Sequence, residues 1–180
     1  IGIYPALGGT QRPARIAGRE LGRWAVLAGN FMNAETAADL GLVTHLVDIN
    51  DVPNCIKDIH ASGKPDNKYP GKPLNENSPV VKFAKKFFSD GNMAALLAGS
   101  CPDGFDAEDK TVARQLKSLK FTAPIGLAMA SERIDATASM SLDEGLQLEL
   151  QGLDRIFSTE DALEGLSALI EGRRATYKNA

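Results

Sequence analysis

The 180-residue sequence predicts a mainly helical, soluble protein with one or two short strands. Apolar residues recur at helical spacing through most of the chain, and several of these stretches begin at a residue that commonly caps helices. Hydrophobic residues make up 43% of the chain and charged residues 24%, which is typical of a globular protein with a buried core. The alternation expected of a strand occurs in a single short stretch.

The first predicted helix follows a glycine-containing turn at residues 6–10. Thr10 is expected to cap this helix, which covers residues 11–17 and ends at Gly18. A second helix is predicted over residues 19–28, because its apolar side chains fall on one face.

Two further helices flank the one predicted strand. Asn33 is expected to cap a helix over residues 34–40. Residues 42–47 alternate and are rich in β-branched side chains, so they predict a short strand. A helix over residues 51–59 follows.

A proline-rich segment at residues 61–78 predicts a long surface loop, because proline and glycine interrupt both helices and central strands. Its prolines are Pro65, Pro70 and Pro73. Helical periodicity returns over residues 79–121. Ser78 and Pro79 are typical of a helix start, residues 93–98 predict a short helix, and Asp106 is expected to cap another.

The last third of the chain predicts three helices. Pro124 begins a helix that extends to about residue 138. Residues 141–144 form a capping box, and residues 158–161 contain a second cap. The apolar face that follows the capping box consists of Leu142, Leu146, Leu150, Leu153 and Phe157.

Composition excludes several classes of function. The net charge of −3 gives no electrostatic basis for binding nucleic acid or membranes. Cys55 and Cys101 are too few and too far apart for a disulfide framework, and they predict free thiols in a reducing cytoplasm. His45 and His60 form no ligand motif, so no metal site is expected.

Two blocks of residues carry a specific family resemblance. The first reads PALGGTQR at residues 5–12, LAG at 27–29 and GLV at 41–43. The second reads MSLDEGL at residues 140–146, LE at 148–149 and FSTED at 157–161. In order and spacing, these blocks resemble the C-terminal portion of the enoyl-CoA hydratase/isomerase (crotonase) family, whose fold is a ClpP-like α/β spiral. Pro13 stands where that family usually has Leu.

The resemblance implies a division of the chain into four segments. Residues 1–60 would be the end of the crotonase core, 61–78 a loop, 79–121 a helical insertion, and 122–180 the C-terminal region that covers CoA and trimerises. The chain begins at Ile1 without Met, so we expect it to be part of a longer protein.

The resemblance also implies an activity. Family members act on acyl-CoA thioesters, and hydration of 2-enoyl-CoA in fatty-acid β-oxidation is the expected reaction of the parent protein, with CoA as part of the substrate and no other cofactor. A 3-hydroxyacyl-CoA dehydrogenase fused upstream is one arrangement of such a parent. The family's catalytic glutamates and oxyanion amides correspond to positions upstream of Ile1, so no catalytic residue is expected in this chain and the isolated chain is expected to be inactive.

Two alternatives stay open at this point. A Δ3,Δ2-enoyl-CoA isomerase, or another thioester enzyme, would share the same C-terminal blocks. A non-catalytic helical oligomerisation module is the alternative from a different class. The upstream glutamate positions would distinguish the first alternative from a hydratase.

The resemblance identifies a substrate-binding loop with Pro5, Ala6, Gly8 and Gly9. Gly8 and Gly9 lack a Cβ, so their backbone can turn sharply and present amides to a ligand. Ala6 matches the position whose N–H helps to orient the substrate water in hydratases. The alternative is that the two glycines only form a turn into a helix.

The resemblance identifies a second group, Arg173, Arg174, Tyr177 and Lys178, as CoA-binding. In family members, basic residues of the last segment lie near the CoA phosphates. Gly172 stands where a lysine is usual. The alternative is a solvated basic helix end that interacts favourably with the helix dipole.

The remaining acidic candidates are explained by helix starts, where carboxylates interact favourably with the helix dipole. They are Glu20, Glu35, Asp143, Glu144, Glu160 and Asp161. The apolar faces of the last helices predict a homo-oligomer, because large exposed apolar patches are rare on monomers. The alternative is that residues 78–120 cover these faces.

Overall fold

The computed structural model describes residues 1–66 and 71–180, and α-helices dominate this part of the chain, as predicted. Isolated 3₁₀ turns precede two of them. The helices of the described residues are α1 Arg12–Ala17, α2 Arg19–Val26, α3 Ala34–Asp39, α4 Val52–Ser62, α5 Pro79–Phe87, α6 Met93–Leu97, α7 Lys110–Lys120, α8 Pro124–Ala136, α9 Leu142–Gln151, α10 Leu153–Phe157 and α11 Glu160–Glu171.

The chain forms two compact units. The first consists of Ile1–Asn30 together with Ala84–Ala180, and the second is Phe31–Phe83. Both resemblance blocks at the two ends of the chain therefore contribute to the first unit. The four segments inferred from the sequence stay a prediction.

Three predicted helix starts are confirmed. The side chains of Asn33, Ser141 and Thr159 each accept a hydrogen bond from the backbone N–H three residues further on. The side chain of Glu144 accepts a bond from the Ser141 N–H in return, which completes the capping box. These contacts satisfy amides that the first turn of a helix leaves unpaired.

Two predicted caps are wrong. Helix α1 has Gln11 at its N-cap position without a side-chain cap, and the Thr10 hydroxyl bonds elsewhere. Helix α7 is capped by Asp109, while the Asp106 carboxylate accepts a hydrogen bond from an amide in the turn before the helix. The Thr10 hydroxyl bonds to a distant carboxylate, whereas Asp106 forms a local turn and Asp109, three residues later, takes the cap position.

Within residues 1–66 and 71–180, the strand predicted at residues 42–47 is reduced to a single bridge. The β-pairing recorded among the described residues is a single antiparallel bridge between His45 and Gly71. The N–H of Lys72 also donates to the carbonyl of Thr44 at 2.9 Å. An antiparallel strand pairs along its length, and of the described residues only Gly71 bridges to this segment.

Of the predicted loop at residues 61–78, positions 67–70, which include Pro70, lie outside the described residues. Helix α4 extends three residues further than expected and ends at Gly63, which is in the left-handed conformation. Downstream, the backbone N–H of Asn75 donates to the Asp39 carbonyl at 2.9 Å, and its side chain donates to the Asp39 carboxylate at 3.0 Å. This contact fixes the end of the loop against α3.

A buried arginine links the helices of the first unit. Arg23 is 2% exposed, and its guanidinium donates to the Phe88 carbonyl at 2.9 Å and contacts Asp90 at 2.7 Å and Asp135. The bond from Arg23 holds the pKa of the Asp90 carboxyl below its ordinary value. A buried cation needs such partners, because leaving it unpaired would be costly.

The helix predicted to continue from Leu142 to Phe157 is divided at Gly152 into α9 and α10. The backbone of Gly152 lies against the side chains of Tyr4 and Arg133, so an added Cβ would overlap the Arg133 guanidinium and lie 2.6 Å from the Tyr4 hydroxyl. The N-terminal segment can approach these helices closely because glycine occupies this position.

We expect Gly152→Ala to lower the free energy of unfolding by about 1–3 kcal/mol, because the added methyl group overlaps buried side chains that cannot move freely. Gly91→Ala is the matched control. A Cβ at Gly91 meets no atom within 4 Å, so its effect should stay within about 0.5 kcal/mol. Chemical denaturation measures both. Equal stability of the two variants would contradict the described packing.

Candidate functional site

The loop of residues 5–11 is a tight turn that requires glycine at two positions. Gly8 has φ +87°, and a Cβ there would lie 2.7 Å from the Arg12 guanidinium. A Cβ on Gly9 would lie 2.7 Å from the Cβ of Pro5. A side chain at Gly8 would be strained by the positive φ, and one at Gly9 would collide with Pro5, so the glycines determine the shape of the loop.

The loop is held from inside by the carboxylate of Glu149, which lies on α9 and is 1% exposed. The Gly8 N–H donates to Glu149 Oε2 at 2.6 Å. The Thr10 N–H and hydroxyl both donate to Glu149 Oε1, at 3.0 and 2.5 Å. Removing the carboxylate would leave buried donors unpaired, at a cost of about 1–3 kcal/mol each.

Tyr4, which immediately precedes the loop, also bonds to α9. Its hydroxyl donates to the Glu149 carbonyl at 2.5 Å, and the Arg133 guanidinium lies 4.4 Å from the centre of its ring. Gln11 adds a bond from its side-chain amide to the Arg133 carbonyl at 3.1 Å. Both ends of the loop are therefore anchored in the interior.

These contacts determine which loop amides remain for a ligand. The Gly8 amide binds Glu149 and the Gly9 amide donates to the Ala6 carbonyl at 3.2 Å. The two amides expected to face a ligand are thus engaged internally, and the glycines act through the shape of the turn. No acceptor within residues 1–66 and 71–180 engages the Ala6 amide. The assignment of Pro5, Ala6, Gly8 and Gly9 as substrate-binding stays a prediction.

Leu7, at the tip of the loop, adopts the left-handed conformation with φ +57° and is 83% exposed. This conformation costs a residue with a Cβ about 1–2 kcal/mol. Its carbonyl accepts a bond from Arg12 Nη1 at 2.7 Å, and the next amide binds Glu149. The surrounding contacts therefore hold Leu7 in place, although its side chain is barely buried.

The C-terminal tail folds back on α11 through two carboxylates. Asp161, 1% exposed, accepts the N–H groups of Lys178 and Asn179 at 2.6 and 3.0 Å. Glu164 accepts both terminal nitrogens of Arg173, at 2.6 and 2.8 Å, and the Thr176 N–H at 2.8 Å. Asp161 therefore anchors the tail, and its interpretation as only a capping residue is wrong.

The residues predicted to bind CoA occupy different environments. Arg173 is paired with Glu164 and with Glu171, whose carboxylate lies 2.5 Å from Arg173 Nε. The Arg174 guanidinium lies 3.4 Å from the centre of the Phe121 ring. Burial raises the pKa of Tyr177.

Two small clefts lie beside this tail. One, of about 260 Å³, is lined by the carboxylates of Glu160, Asp161 and Glu164, together with Arg173 and Lys178. Its three carboxylates outnumber its two cations, which does not favour a phosphate group there. The other, of about 150 Å³, lies between the N-terminal residues, Phe121 and Tyr177.

The remaining sequence candidates stay in first turns of helices. Glu20, Glu35, Asp143 and Glu160 all occupy such positions, as predicted. Within residues 1–66 and 71–180, no three His, Cys, Asp or Glu side chains are grouped so that they could hold a metal ion. In the same residues, no helix has the length and apolar character needed to cross a membrane.

Sequence reasoning missed Glu149 as a site residue. The available signal was the spacing of Gly145, Glu149 and Gly152, which places two small residues and a carboxylate on one face of the helix. A Cβ on Gly145 would overlap the Gln11 side chain, so this face lies directly against the loop. The leucine face of the same helix stays partly open, with Leu142 40% and Leu150 51% exposed.

Comparison with known proteins identifies relatives of the whole chain. A family model described as enoyl-CoA hydratase/isomerase matches residues 1–178. The mitochondrial enoyl-CoA hydratase of Pongo abelii is 26% identical over 179 residues, which are 99% of this chain and 42% of that protein. A probable enoyl-CoA hydratase of Rhizobium meliloti is 24% identical, over 99% of this chain and 48% of its own length.

A relative with a different described activity matches to a similar degree. The mitochondrial 3-hydroxyisobutyryl-CoA hydrolase of Xenopus tropicalis is 24% identical over 192 residues, covering 99% of this chain and 49% of that protein. The chain therefore spans somewhat less than half the length of these curated relatives.

The pKa of Glu164 predicts the pH at which the C-terminal tail separates from α11. The Arg173 guanidinium and the Thr176 N–H lower the pKa of Glu164 from 4.5 to about 2. Since the docked pKa is depressed, the contribution of Glu164 to docking is fully present above the ordinary pKa and is lost as the pH falls through about 2. We expect the Thr176 amide to stay protected from hydrogen exchange down to about pH 3, relative to the amides of α11.

Glu164→Gln should abolish this protection at neutral pH, because it removes the charged acceptor. Glu160→Gln is the control, since Glu160 lines the same cleft without a recorded bond to the tail. Unchanged protection of Thr176 in Glu164→Gln would contradict the docking of the tail through this carboxylate.

Proposed function

This chain belongs to the enoyl-CoA hydratase/isomerase family, and we propose that it forms the C-terminal portion of an enoyl-CoA hydratase. Its helical architecture corresponds to the C-terminal helical part of the crotonase fold. The proposed reaction adds water across the Cα–Cβ double bond of a 2-enoyl-CoA, as in fatty-acid β-oxidation. Coenzyme A enters as part of the substrate.

One observation supports this proposal above all others. The two sequence blocks that resemble the family lie far apart in the chain, yet Gly8 of the first block bonds to Glu149, 141 positions further on, in the first unit. The glycine loop comes from the first block and the carboxylate from the second. The family's two blocks thus act together as one structural element.

In the proposed mechanism, the hydroxyl group of water adds to Cβ and a proton is delivered to Cα. Negative charge develops on the thioester oxygen, and backbone amides stabilise it. Two glutamates orient the water and transfer its protons. We place these glutamates and oxyanion amides upstream of Ile1, and we assign to this chain the Ala6 amide, which helps to orient the water.

The CoA moiety is proposed to contact the C-terminal tail. Of the four residues inferred for this role, Arg173 is already paired with two carboxylates. Lys178 lines the acidic cleft, so Arg174 is the better candidate for the phosphates. Tyr177 lies against the N-terminal segment that leads to the loop. Because carboxylates line the 260 Å³ cleft beside the tail, we propose that CoA contacts the outer surface of the tail and not this cleft.

A second thioester activity also has support. The hydrolase relative matches this chain over its whole length at an identity similar to that of the hydratases. An isomerase would use the same C-terminal elements. A dehydrogenase domain fused upstream would not alter the chemistry proposed for this chain.

We expect the isolated 180-residue chain to show no hydration of crotonyl-CoA, because the proposed acid-base and oxyanion groups lie outside it. The longer protein should catalyse the reaction, measured as loss of enoyl absorbance. Parallel assays with a 3-enoyl-CoA and with 3-hydroxyisobutyryl-CoA distinguish isomerase and hydrolase. Turnover by the isolated chain after removal of contaminating enzyme would show that the assignment of groups is wrong.

The outer faces of the last helices support a homo-oligomer. Helix α11 buries Asp161, Ala162, Gly165 and Ala168 and leaves a row of apolar side chains exposed. On α11, Leu163 is 67% exposed and Ile170 is 86% exposed. Covering such surface contributes about 25 cal/mol per Å², so we propose that these faces pack against other copies of the chain.

We expect light scattering at micromolar concentration to give the mass of a dimer or trimer, since the exposed row favours association. The double variant Leu163→Glu/Ile170→Glu should shift the mass to that of the monomer, because it places charges in the row. Ile49→Glu is the control, since Ile49 is 79% exposed but lies in the second unit. A clean mass near 19.2 kDa for the wild-type chain would contradict the proposal.

A further inference from the structure

We propose that Glu149 is a positioning residue that holds the loop of residues 5–10 in the conformation required for the reaction. The inference rests on the proposed function, because that function supplies the reaction which the loop serves. Glu149 does not touch the reacting atoms in this arrangement. It acts through Ala6 and Leu7, whose backbone it orients.

Glu149 binds groups on both sides of the loop tip. The Tyr4 hydroxyl, before the tip, donates to its carbonyl, while Gly8 and Thr10, after the tip, donate to its carboxylate. Tyr4 and Thr10 are almost completely buried. One residue thus anchors both ends of the tip, because Tyr4 is held by its backbone carbonyl and Gly8 and Thr10 are held by its carboxylate.

The strained residue lies between these anchors. The peptide unit that joins Leu7 to Gly8 is held by both of its polar groups, because its carbonyl accepts from Arg12 and its N–H donates to Glu149. The Leu7 side chain gains little burial in return. Strained backbone conformations that are held in place by neighbouring contacts occur preferentially at functional sites. Here Glu149 and Arg12 are the residues that maintain it.

The same bonds limit which amides can serve the reaction. With the amides of Gly8, Gly9 and Thr10 engaged internally, the amides of Ala6 and Leu7 remain without an acceptor in the described part of the chain. The Ala6 amide is the one proposed to orient the water. Glu149 therefore determines both the shape of the loop and which amides it leaves for a ligand.

The first test uses the isolated 180-residue chain and requires no activity. In Glu149→Gln, the exchange protection of the Gly8 and Thr10 amides should fall by roughly 10- to 100-fold, as expected when hydrogen bonds to a charged acceptor are lost. Their amide proton resonances should also move upfield. Glu144→Gln is the matched control on the same helix, because Glu144 belongs to the capping box and is exposed. Unchanged protection in Glu149→Gln would overturn the proposal.

A rescue variant separates positioning from general stability. Leu7→Gly relieves the left-handed strain. Adding it to Glu149→Gln should therefore raise the exchange protection of the Gly8 and Thr10 amides roughly threefold or more above that of Glu149→Gln alone. A Glu149 that only stabilised the helix would not respond to a change at Leu7. If Glu149→Gln does not fold, Thr10→Val and Thr10→Ser replace it. Thr10→Val removes the hydroxyl and should lower the exchange protection of the Gly8 amide. Thr10→Ser keeps the hydroxyl and should leave that protection at the wild-type level. Equal protection in the two variants would overturn the proposal.

The second test measures thioester turnover in the longer protein. Glu149→Gln should lower kcat by roughly 10- to 100-fold, as expected for a small displacement of a group that orients the reactants, with little change in KM. Adding Leu7→Gly should recover part of kcat, and Glu144→Gln should leave it unchanged. A loss of amide protection without a loss of kcat would overturn the positioning role. Absence of turnover in the wild-type longer protein would refute the proposed function instead, while the exchange experiment would still decide whether Glu149 holds the loop.

Discussion

The arrangement of the first unit depends on the burial of one carboxylate. Glu149 lies on the inner face of α9 at 1% exposure, and an ionised group there must be supplied with hydrogen-bond donors. The donors come from the glycine turn near the beginning of the chain, so the N-terminal segment has to lie against α9. Gly145 and Gly152, one turn before and after Glu149, leave the space that this approach requires.

The sequence predicted the helices well, because their starts depend on local contacts that Asn33, Ser141 and Thr159 provide themselves. At Thr10 it failed because the outcome depends on a distant partner. Thr10 has the chemistry of a cap, but a carboxylate 139 residues away competes successfully for its hydroxyl and its amide. Residues 42–47 have the composition of a strand, but within the described part of the chain they form one bridge, at His45.

The candidate site was predicted in part. The glycine loop and the basic tail were both located by their resemblance to a family, but the carboxylates that hold them were assigned to helix starts or passed over. A pattern of hydrophobic residues identifies the apolar face of a helix, and in α9 and α11 the face that meets the rest of the unit consists of small and acidic residues. That face can be recognised in the sequence only by looking for glycines and a carboxylate that recur at a spacing of three and four residues.

The separation between the loop and its anchor affects the order in which the molecule can assemble. Gly8 and its carboxylate partner are 141 positions apart, so at about 5–20 residues per second a ribosome takes roughly 10–30 s to synthesise the interval between them. Throughout that time the nascent loop lacks the group that stabilises its turn. Helices with local caps can form as they emerge, whereas the loop forms only after α9 has been made. A nascent chain released before α9 would therefore contain the complete glycine motif without the structure associated with it.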